Sequence, residues 1–303
     1  MIFTRAGEVV PGFHALGNRH TPCYLLDAPR PALFDAGFAF LAQSYADGAR
    51  RVLGGRSPEV LFLTHMHFDH CGGAGALKEA FPGLRIAASA EAGQILARPR
   101  ARELIGRLNE EARALAPSIG LAQANEAQFL PFEVEAVLQD SDVIDLGGGL
   151  SVRVLATPGH TRDFLSYYLP ERRILIASEA VGCGDRFGNI TAEFVFDYDA
   201  YLTSLRRLSS LEVEVLCPGH EQVYVGEDAA RFLEASLRET ERFRVWVEEL
   251  LAEEQGEVER VVARIKTVQW DPVPEPKQPL GAYLLSTEAR VRMLAARGAE
   301  KSC

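Results

Sequence analysis

Three histidines and an aspartate lie close together in residues 64–71, which read THMHFDHC. Imidazole and carboxylate groups are ligands that zinc and other divalent transition metals use in proteins. In an extended or turning segment, side-chain direction repeats every two residues, so His65 and His67 project to the same side and can face one metal ion. Asp69 and His70 then turn towards a second position. The segment therefore predicts a metal site.

Two further histidines each follow a Pro-Gly pair, in the segments TPGHT and CPGHE. Alone, His160 or His220 would be interpreted as a surface histidine or a hydrogen-bonded core histidine. Beside the cluster at residues 65–70, both are predicted to be ligands. Gly159 and Gly219 allow the backbone to turn tightly without a Cβ conflict, which would direct the following imidazole inward.

The elements that must position these residues are short apolar segments, each of which runs into a polar motif. Residues 60–63 read VLFL and precede the histidine cluster, while residues 150–156, 174–177 and 213–216 precede TPGHT, SEAVG and CPGHE. A segment that is apolar on both faces predicts a strand buried in a layered α/β structure. Ligands usually collect at the carboxyl ends of such strands.

A helical pattern begins near residue 91 and extends to about residue 128. Its apolar residues are spaced for one stripe, which predicts a helix covering the core, and they are Leu104, Ile105, Leu108, Ala112 and Leu115. The alternative is that this insertion, interrupted at Pro99 and at residues 117–120, forms a lid over the metal site and an apolar substrate pocket.

After residue 226 the pattern is helical, and a proline-rich link at residues 271–276 precedes a last helix over roughly residues 287–297. We predict a catalytic domain over residues 1–225, with the helical insertion near 91–128, and a C-terminal helical extension over residues 226–303. Dimerisation through these helices is one option for the extension, which makes a homodimer a candidate assembly.

Composition limits the partners. The 303 residues carry a formal net charge of −10 and no dense Lys/Arg run, which disfavours nucleic acid and favours a small-molecule substrate. No apolar stretch approaches the roughly 20 residues needed to cross a bilayer, and the first residues do not resemble a secretion signal, so we expect no membrane association and a cytoplasmic location. Five scattered cysteines without a CxxC pair predict reduced thiols rather than disulfides.

Taken together, the motifs resemble those of the metallo-β-lactamase superfamily. THMHFDH matches its HxHxDH motif, TPGHT its second histidine motif and CPGHE its last, and FDAG at residues 34–37 resembles its early strand end with an aspartate. The motifs occur in the expected order between about residues 11 and 222. The resemblance implies an α/β (α+β layered) fold, an αββα sandwich with the site at one sheet edge, here followed by a C-terminal helical appendage.

The resemblance also implies which residues bind metal. His65, His67 and His160 would hold one ion, and the second would be held by Asp69, His70 and His220, with a hydroxide between the two ions. Zinc is the default, so two zinc ions are expected, although iron or manganese would accept the same ligands. Asp69 is also the predicted catalytic residue, because it can accept a proton or orient the nucleophile.

The chain departs from this family pattern at one ligand. Most hydrolytic relatives place an aspartate that bridges both metals after the strand corresponding to residues 174–177, where this chain reads Ser178-Glu179-Ala180. We assign the bridging role to Glu179, with single-metal occupancy as an alternative because glutamate is one methylene longer. Two other interpretations are an exposed strand-end acid and a substitute ligand at Asp185. Cys71 and Cys183 are interpreted as having no role.

The predicted function is metal-dependent hydrolysis of a small ester, thioester or lactone by a metal-bridging hydroxide. Tyr198 or Tyr201 could donate a hydrogen bond to the oxyanion if its loop faces the site. Tyrosines at such positions are more often core residues. Three alternatives remain: a mononuclear iron oxidoreductase of the persulfide dioxygenase type, an endoribonuclease-like phosphodiesterase, and a binding or regulatory protein that keeps the metals.

Overall fold

A computed structural model describes residues 1–18, 20–119, 127–275 and 277–301 of the chain. Within these residues, two seven-stranded sheets pack face to face and helices cover both outer surfaces. This arrangement confirms the αββα sandwich. The strands are, in chain order, β1 (Ile2–Phe3), β2 (Gly7–Val10), β3 (Phe13–Leu16), β4 (Cys23–Leu26), β5 (Ala32–Phe34), β6 (Val60–Phe62), β7 (Arg85–Ser89), β8 (Ala136–Leu138), β9 (Val143–Gly147), β10 (Leu150–Ala156), β11 (Leu165–Leu169), β12 (Ile174–Ile176), β13 (Cys183–Gly184), β14 (Ile190–Thr191), β15 (Val215–Cys217) and β16 (Val223–Val225).

The same residues form α-helices and three short 3₁₀ helices. The α-helices are α1 (Ala42–Leu53), α2 (Phe68–Cys71), α3 (Ala74–Ala80), α4 (Ala90–Leu96), α5 (Pro99–Leu115), α6 (Tyr198–Ser209), α7 (Glu227–Glu253), α8 (Val258–Gln269) and α9 (Leu280–Lys301). The 3₁₀ helices span Ala39–Leu41, Ala116–Ile119 and Ser178–Val181.

The two sheets have different strand orders. The first is β2-β3-β4-β5-β6-β7-β8, and it becomes parallel from β5 onward. The second is β1-β16-β15-β12-β11-β10-β9, in which β12 and β15 are parallel. Since β11 is antiparallel to both β10 and β12, the strands β10, β12 and β15 all run in the same direction. The four predicted ligand-bearing segments thus follow β6 in the first sheet and β10, β12 and β15 in the second.

Alternating side chains of the apolar strands build the core on both faces of each sheet. In β4, Tyr24 and Leu26 belong to the cluster between the sheets, whereas Cys23 and Leu25 face the outer helices. This alternation follows from the two-residue period of a strand. Tyr167 of the second sheet donates a 2.6 Å hydrogen bond to the Leu63 carbonyl, directly before the histidine cluster.

The segment predicted to be helical near residues 91–128 contains α4 and α5, but the predicted apolar stripe is only partly right. Ile105 is buried, whereas Leu104 and Leu115 are 44% and 46% exposed. A polar residue fixes this helix instead: the buried Asn109 accepts a hydrogen bond from the Ala39 amide and donates one to the Phe68 carbonyl. Helix α5 therefore contacts the segment that carries the HxHxDH motif. Residues 120–126 of the predicted insertion lie outside the described residues.

The C-terminal helices are also confirmed, and the last of them begins earlier than predicted. Phe232 and Leu233 of α7 share one apolar cluster with Leu175 and Leu216 of the second sheet, because the apolar face of α7 lies on that sheet. The predicted domain boundary at 225/226 stays a prediction, and Pro276 and residues 302–303 lie outside the described residues. Among the described helices, none is long and apolar enough to span a bilayer.

Candidate metal centre

The structure brings all seven predicted ligands to one edge of the sandwich, from four separate loops. Both sheets contribute, because one loop follows β6 and the others follow β10, β12 and β15. The Leu165 amide donates to the Thr64 carbonyl at 2.8 Å, which joins the sheets at this edge. The residues brought together are His65, His67, Asp69, His70, His160, Glu179 and His220.

The first group of ligand atoms comes from His65, His67 and His160, and these atoms lie within 4.8 Å of one another. Nδ1 of His67 and Nε2 of His160 are 3.1 Å apart. The other ring nitrogen of His160 donates to the Glu193 carbonyl at 2.6 Å, and Nδ1 of His65 lies 3.0 Å from Thr64 Oγ1. Such outer contacts fix the orientation and tautomer of metal-binding imidazoles.

The second group consists of Asp69, His70 and His220, again within 4.8 Å of one another. Asp69 Oδ2 lies 3.8 Å from His70 Nε2 and 3.6 Å from His220 Nε2. Nδ1 of His70 contacts Asp35 Oδ2 at 3.0 Å, and Nδ1 of His220 donates to the His20 carbonyl. Each imidazole is therefore fixed from behind and presents Nε2 to the centre.

Glu179 lies between the two groups. Its Oε1 is 2.8 Å from Nε2 of both His70 and His220, and its Oε2 is 3.8 Å from His65 Nε2. Ser178 Oγ donates to Oε2 at 2.7 Å. With 3% of its surface exposed, Glu179 is not an exposed strand-end acid, so that interpretation is wrong. One carboxylate oxygen faces each group, which is the placement that a bridging ligand requires.

Two imidazoles of the first group are held neutral by their surroundings. Burial, together with the neighbouring His70 and His67, lowers the pKa of His65 well below its ordinary value. Burial and the proximity of His67 lower the pKa of His160 to about 4. Because metals bind neutral imidazole, these two ring nitrogens are free of competing protons at neutral pH.

The second group has the opposite charge state. Burial lowers the pKa of His220, but the hydrogen bond and negative charge of Glu179 outweigh it and raise that pKa to about 9. Burial raises the pKa of Glu179, but His70 and His220 outweigh it and hold that pKa well below its usual value. Without metal, the pair of Glu179 with these imidazoles is ionic.

We expect metal binding to release protons at neutral pH. His220 has a pKa of about 9, so a metal must displace its proton below that pH. The apparent metal affinity should rise as the pH increases from 7 towards about 9, and the release should diminish above it. Calorimetric titration in buffers of different ionisation enthalpy measures the protons released, and none released near neutral pH would contradict this charge state.

Two features of the chain itself fit bound metal ions. Among the described side chains, His65 Nε2 is buried and makes no hydrogen bond. A buried ring nitrogen without a partner is costly, and a metal ion would supply one. The donor set, imidazoles with two carboxylates, suits zinc and also iron or manganese.

The two glycines of the Pro-Gly-His motifs each lie where a Cβ would clash. Gly159 has φ +135°, and a Cβ there would lie 2.3 Å from the Tyr201 Cα. A Cβ on Gly219 would lie 2.4 Å from Glu179 Oε1. The first glycine allows α6 to approach the loop of His160, and the second leaves space for the Glu179 carboxylate.

Tyr201 and Tyr198 are core residues. Tyr201 is fully buried and its hydroxyl donates to the Glu179 carbonyl at 3.2 Å, so it supports the 3₁₀ helix rather than a substrate. Tyr198 is buried against Phe194. Asp185 accepts hydrogen bonds from its own loop and is outside both ligand groups.

Sequence reasoning missed the groups behind the ligands. Asp35, at φ +54°, accepts hydrogen bonds from the Thr64 amide at 2.8 Å and contacts His70. Asp163 accepts from the Met66 amide at 2.8 Å and thus fixes the backbone between His65 and His67. The FDAG motif was a signal for Asp35, whereas no sequence signal indicates backbone carbonyls such as those of residues 20 and 193.

Replacing Asp35 by alanine should weaken metal binding by about 10- to 100-fold, because His70 loses the group that orients it. The affinity is measured by competition with a chelating dye. Asp47→Ala is the matched control, since Asp47 is a half-exposed carboxylate on α1 that contacts Arg50. Equal affinity in the Asp35 and Asp47 variants would show that Asp35 does not orient the ligand.

Comparison with known proteins identifies the family of this chain. The profile of the Metallo-beta-lactamase superfamily matches residues 16–220. Acyl-coenzyme A thioesterase MBLAC2 from Bos taurus is 27% identical over 224 residues, 71% of this chain and 77% of that protein. Hydroxyacylglutathione hydrolase from Ruegeria pomeroyi is 29% identical over 199 residues, which cover 64% of this chain and 59% of that protein.

A similar fold occurs in a solved structure. A metallo-beta-lactamase family protein from Thermus thermophilus superposes with a TM-score of 0.64 at 21% identity, covering 97% of this chain and 95% of that chain. This coverage includes the C-terminal helices, so the likeness extends beyond the sandwich to the whole fold.

Proposed function

The chain belongs to the metallo-β-lactamase superfamily, and from that premise we propose that it is a dinuclear metal-dependent hydrolase that cleaves thioesters of small molecules. The observation that carries the proposal is the position of Glu179, whose two oxygens face the two ligand groups at 2.8 and 3.8 Å. The names of the two relatives, a thioesterase and a hydroxyacylglutathione hydrolase, support a thioester over an oxygen ester or a lactone.

The proposed cofactor is two zinc ions. His65, His67 and His160 would hold one ion, Asp69, His70 and His220 the other, and Glu179 would contact both. When bound, the ions would supply Lewis acidity and lower the pKa of water, so that hydrolysis proceeds near neutral pH. Two complete groups of three ligands support two ions over single-metal occupancy.

The chain's own residues supply proton transfer and positioning. Asp69 is partly exposed at the centre, and we assign it the catalytic role of accepting a proton from the attacking water. Water oxygen bonds to the thioester carbonyl carbon, the C–S bond breaks, and the sulfur leaves with its electron pair and is protonated. The products are a carboxylic acid and a thiol, so no redox partner is required.

Charge also supports a small-molecule substrate. The formal net charge of −10 opposes long-range attraction to a polyanion, which disfavours the phosphodiesterase alternative. The persulfide dioxygenase alternative requires a single iron ion. The position of Glu179, with one oxygen facing each ligand group, favours two ions.

The test combines elemental analysis with a substrate panel. The purified, zinc-loaded protein should contain two ions per chain and hydrolyse acyl-coenzyme A and acylglutathione thioesters faster than matched oxygen esters, a lactone or RNA. Asp69→Asn should bind metal more weakly and hydrolyse far more slowly. One iron per chain with persulfide oxidation, or full zinc loading without any thioester hydrolysis, would overturn the proposal.

A further inference from the structure

Cys183, which the sequence left without a role, lies beside the ligand groups. Its sulfur, a Glu179 carboxylate oxygen and a His220 ring nitrogen lie within 4.8 Å of one another. We propose that the Cys183 thiolate is an additional metal ligand on the His70–His220 side of the centre. This inference rests on the proposed dinuclear site and names a donor that the superfamily motifs in this sequence do not contain.

The backbone directs Cys183 back towards Glu179. The 3₁₀ helix Ser178–Val181 ends at Gly182, which has φ +78°, and a Cβ at Gly182 would lie 2.7 Å from the Thr191 carbonyl oxygen. Cys183 then pairs with Thr191 in the short sheet of β13 and β14. Only glycine fits this turn without strain, so the position of the thiol follows from a specific local fold.

A third side chain, His70, faces the same carboxylate oxygen. His70 is almost fully buried, and its Nε2 forms an ion pair with Glu179 Oε1 at 2.8 Å. That nitrogen is directed at the place where His220 Nε2 and the same oxygen also meet. An ion there would have nitrogen, oxygen and sulfur donors around it.

The spacing suits one ion. Zinc binds sulfur at about 2.3 Å and nitrogen or oxygen at about 2.0–2.2 Å, so two donors on one ion lie at most about 4.5 Å apart. Donor atoms within 4.8 Å of one another therefore need only small side-chain movements to share an ion. Binding would displace the thiol proton to solvent.

The other described cysteines have different surroundings. Cys23 and Cys71 lie in the apolar cluster under the helices, and Cys217 lies between the sheets, all of them fully buried. Cys183 is the one partly exposed thiol among the cysteines of the described residues. A thiolate donor favours zinc or iron(II) over manganese or magnesium, so Cys183 would determine which metal the centre selects.

Cobalt(II) substitution tests the inference. The background is Cys303→Ser, which removes a thiol outside the described residues. The cobalt-loaded background protein should show a near-ultraviolet sulfur-to-cobalt charge-transfer band, and Cys183→Ser in that background should lose the band while still binding cobalt. Full cobalt loading without the band, or a band unchanged in Cys183→Ser, would overturn the inference.

These outcomes are separable from the proposed function. If the band is absent but two ions bind and thioesters are hydrolysed, only the role of Cys183 is wrong. If no cobalt binds, the dinuclear centre and the inference fail together.

A measurement without a Cys183 variant covers the case in which Cys183→Ser does not fold. Alkylation of Cys183 in the folded Cys303→Ser protein, mapped by mass spectrometry, should be slower with zinc than without it. Equal alkylation rates of Cys183 in the two states would contradict ligation.

Discussion

Glu179→Gln should bind one metal ion instead of two and lose at least about 100-fold in kcat/KM for a thioester. The amide removes the negative charge that faces His70 and His220 at 2.8 Å. It also replaces one acceptor oxygen by an NH₂ group, which cannot bind a metal. If Glu179 contacts both ions, neither set of three ligands can compensate for the loss of its carboxylate.

Elemental analysis and steady-state kinetics on the same preparation measure this effect. Glu59→Gln is the control, since Glu59 is a half-exposed carboxylate paired with Arg30 at 3.0 Å, and it should behave as the native protein. Glu179→Asp is a graded test: the carboxylate is retained but withdrawn by about 1.5 Å, so metal binding should be intermediate. Two ions and unchanged kcat/KM in Glu179→Gln would exclude a bridging role.

Gly159→Ala should destabilise the fold by roughly 2–5 kcal/mol. The added Cβ would lie 2.3 Å from the Cα and 2.4 Å from the amide nitrogen of Tyr201, and φ is +135° at this position. Neither backbone atom can yield without moving α6, which packs on the second sheet. Since His160 follows directly, the first ligand group should bind metal more weakly as well.

Urea unfolding of the metal-free protein measures the change in folding stability. The added stability of the zinc-loaded protein measures the change in metal binding. Gly83→Ala is the matched control, because a Cβ there would have no atom within 4 Å, and its stability should change by no more than about 1 kcal/mol. Equal stability of Gly159→Ala and Gly83→Ala would contradict the predicted clash between the new Cβ and α6.

The clustering of the candidate ligands could be predicted from the sequence because their geometry is largely local. His65, His67, Asp69 and His70 fall within six residues, and a strand end followed by a turn places them together whatever the rest of the chain does. Each Pro-Gly-His turn likewise directs its own histidine. The buried strands could be predicted for the same reason, since their apolar character does not depend on a specific partner.

The outer contacts could not be predicted, because they depend on pairs of distant segments. His220 donates to the carbonyl of His20, 200 residues away, and a carbonyl has no sequence signature. Helix α5 shows the same limit. Its spacing predicts an apolar stripe that includes Leu104 and Leu115, but neither side chain is buried. The buried Asn109 fixes the helix instead, through hydrogen bonds with the backbone of residues 39 and 68.

The candidate ligands come from loops of both sheets, and this has a consequence for the amount of protein in the cell. One loop of the first sheet and three loops of the second would share two ions, so any unfolding that separates the sheets also disperses the ligands. Binding to the folded state alone adds RT ln(1 + [L]/Kd) to its stability, about 2.7 kcal/mol at 100 times Kd. The fraction of chains that resists proteolytic degradation would therefore follow the free metal concentration, and metal supply would regulate the amount of this protein as well as its activity.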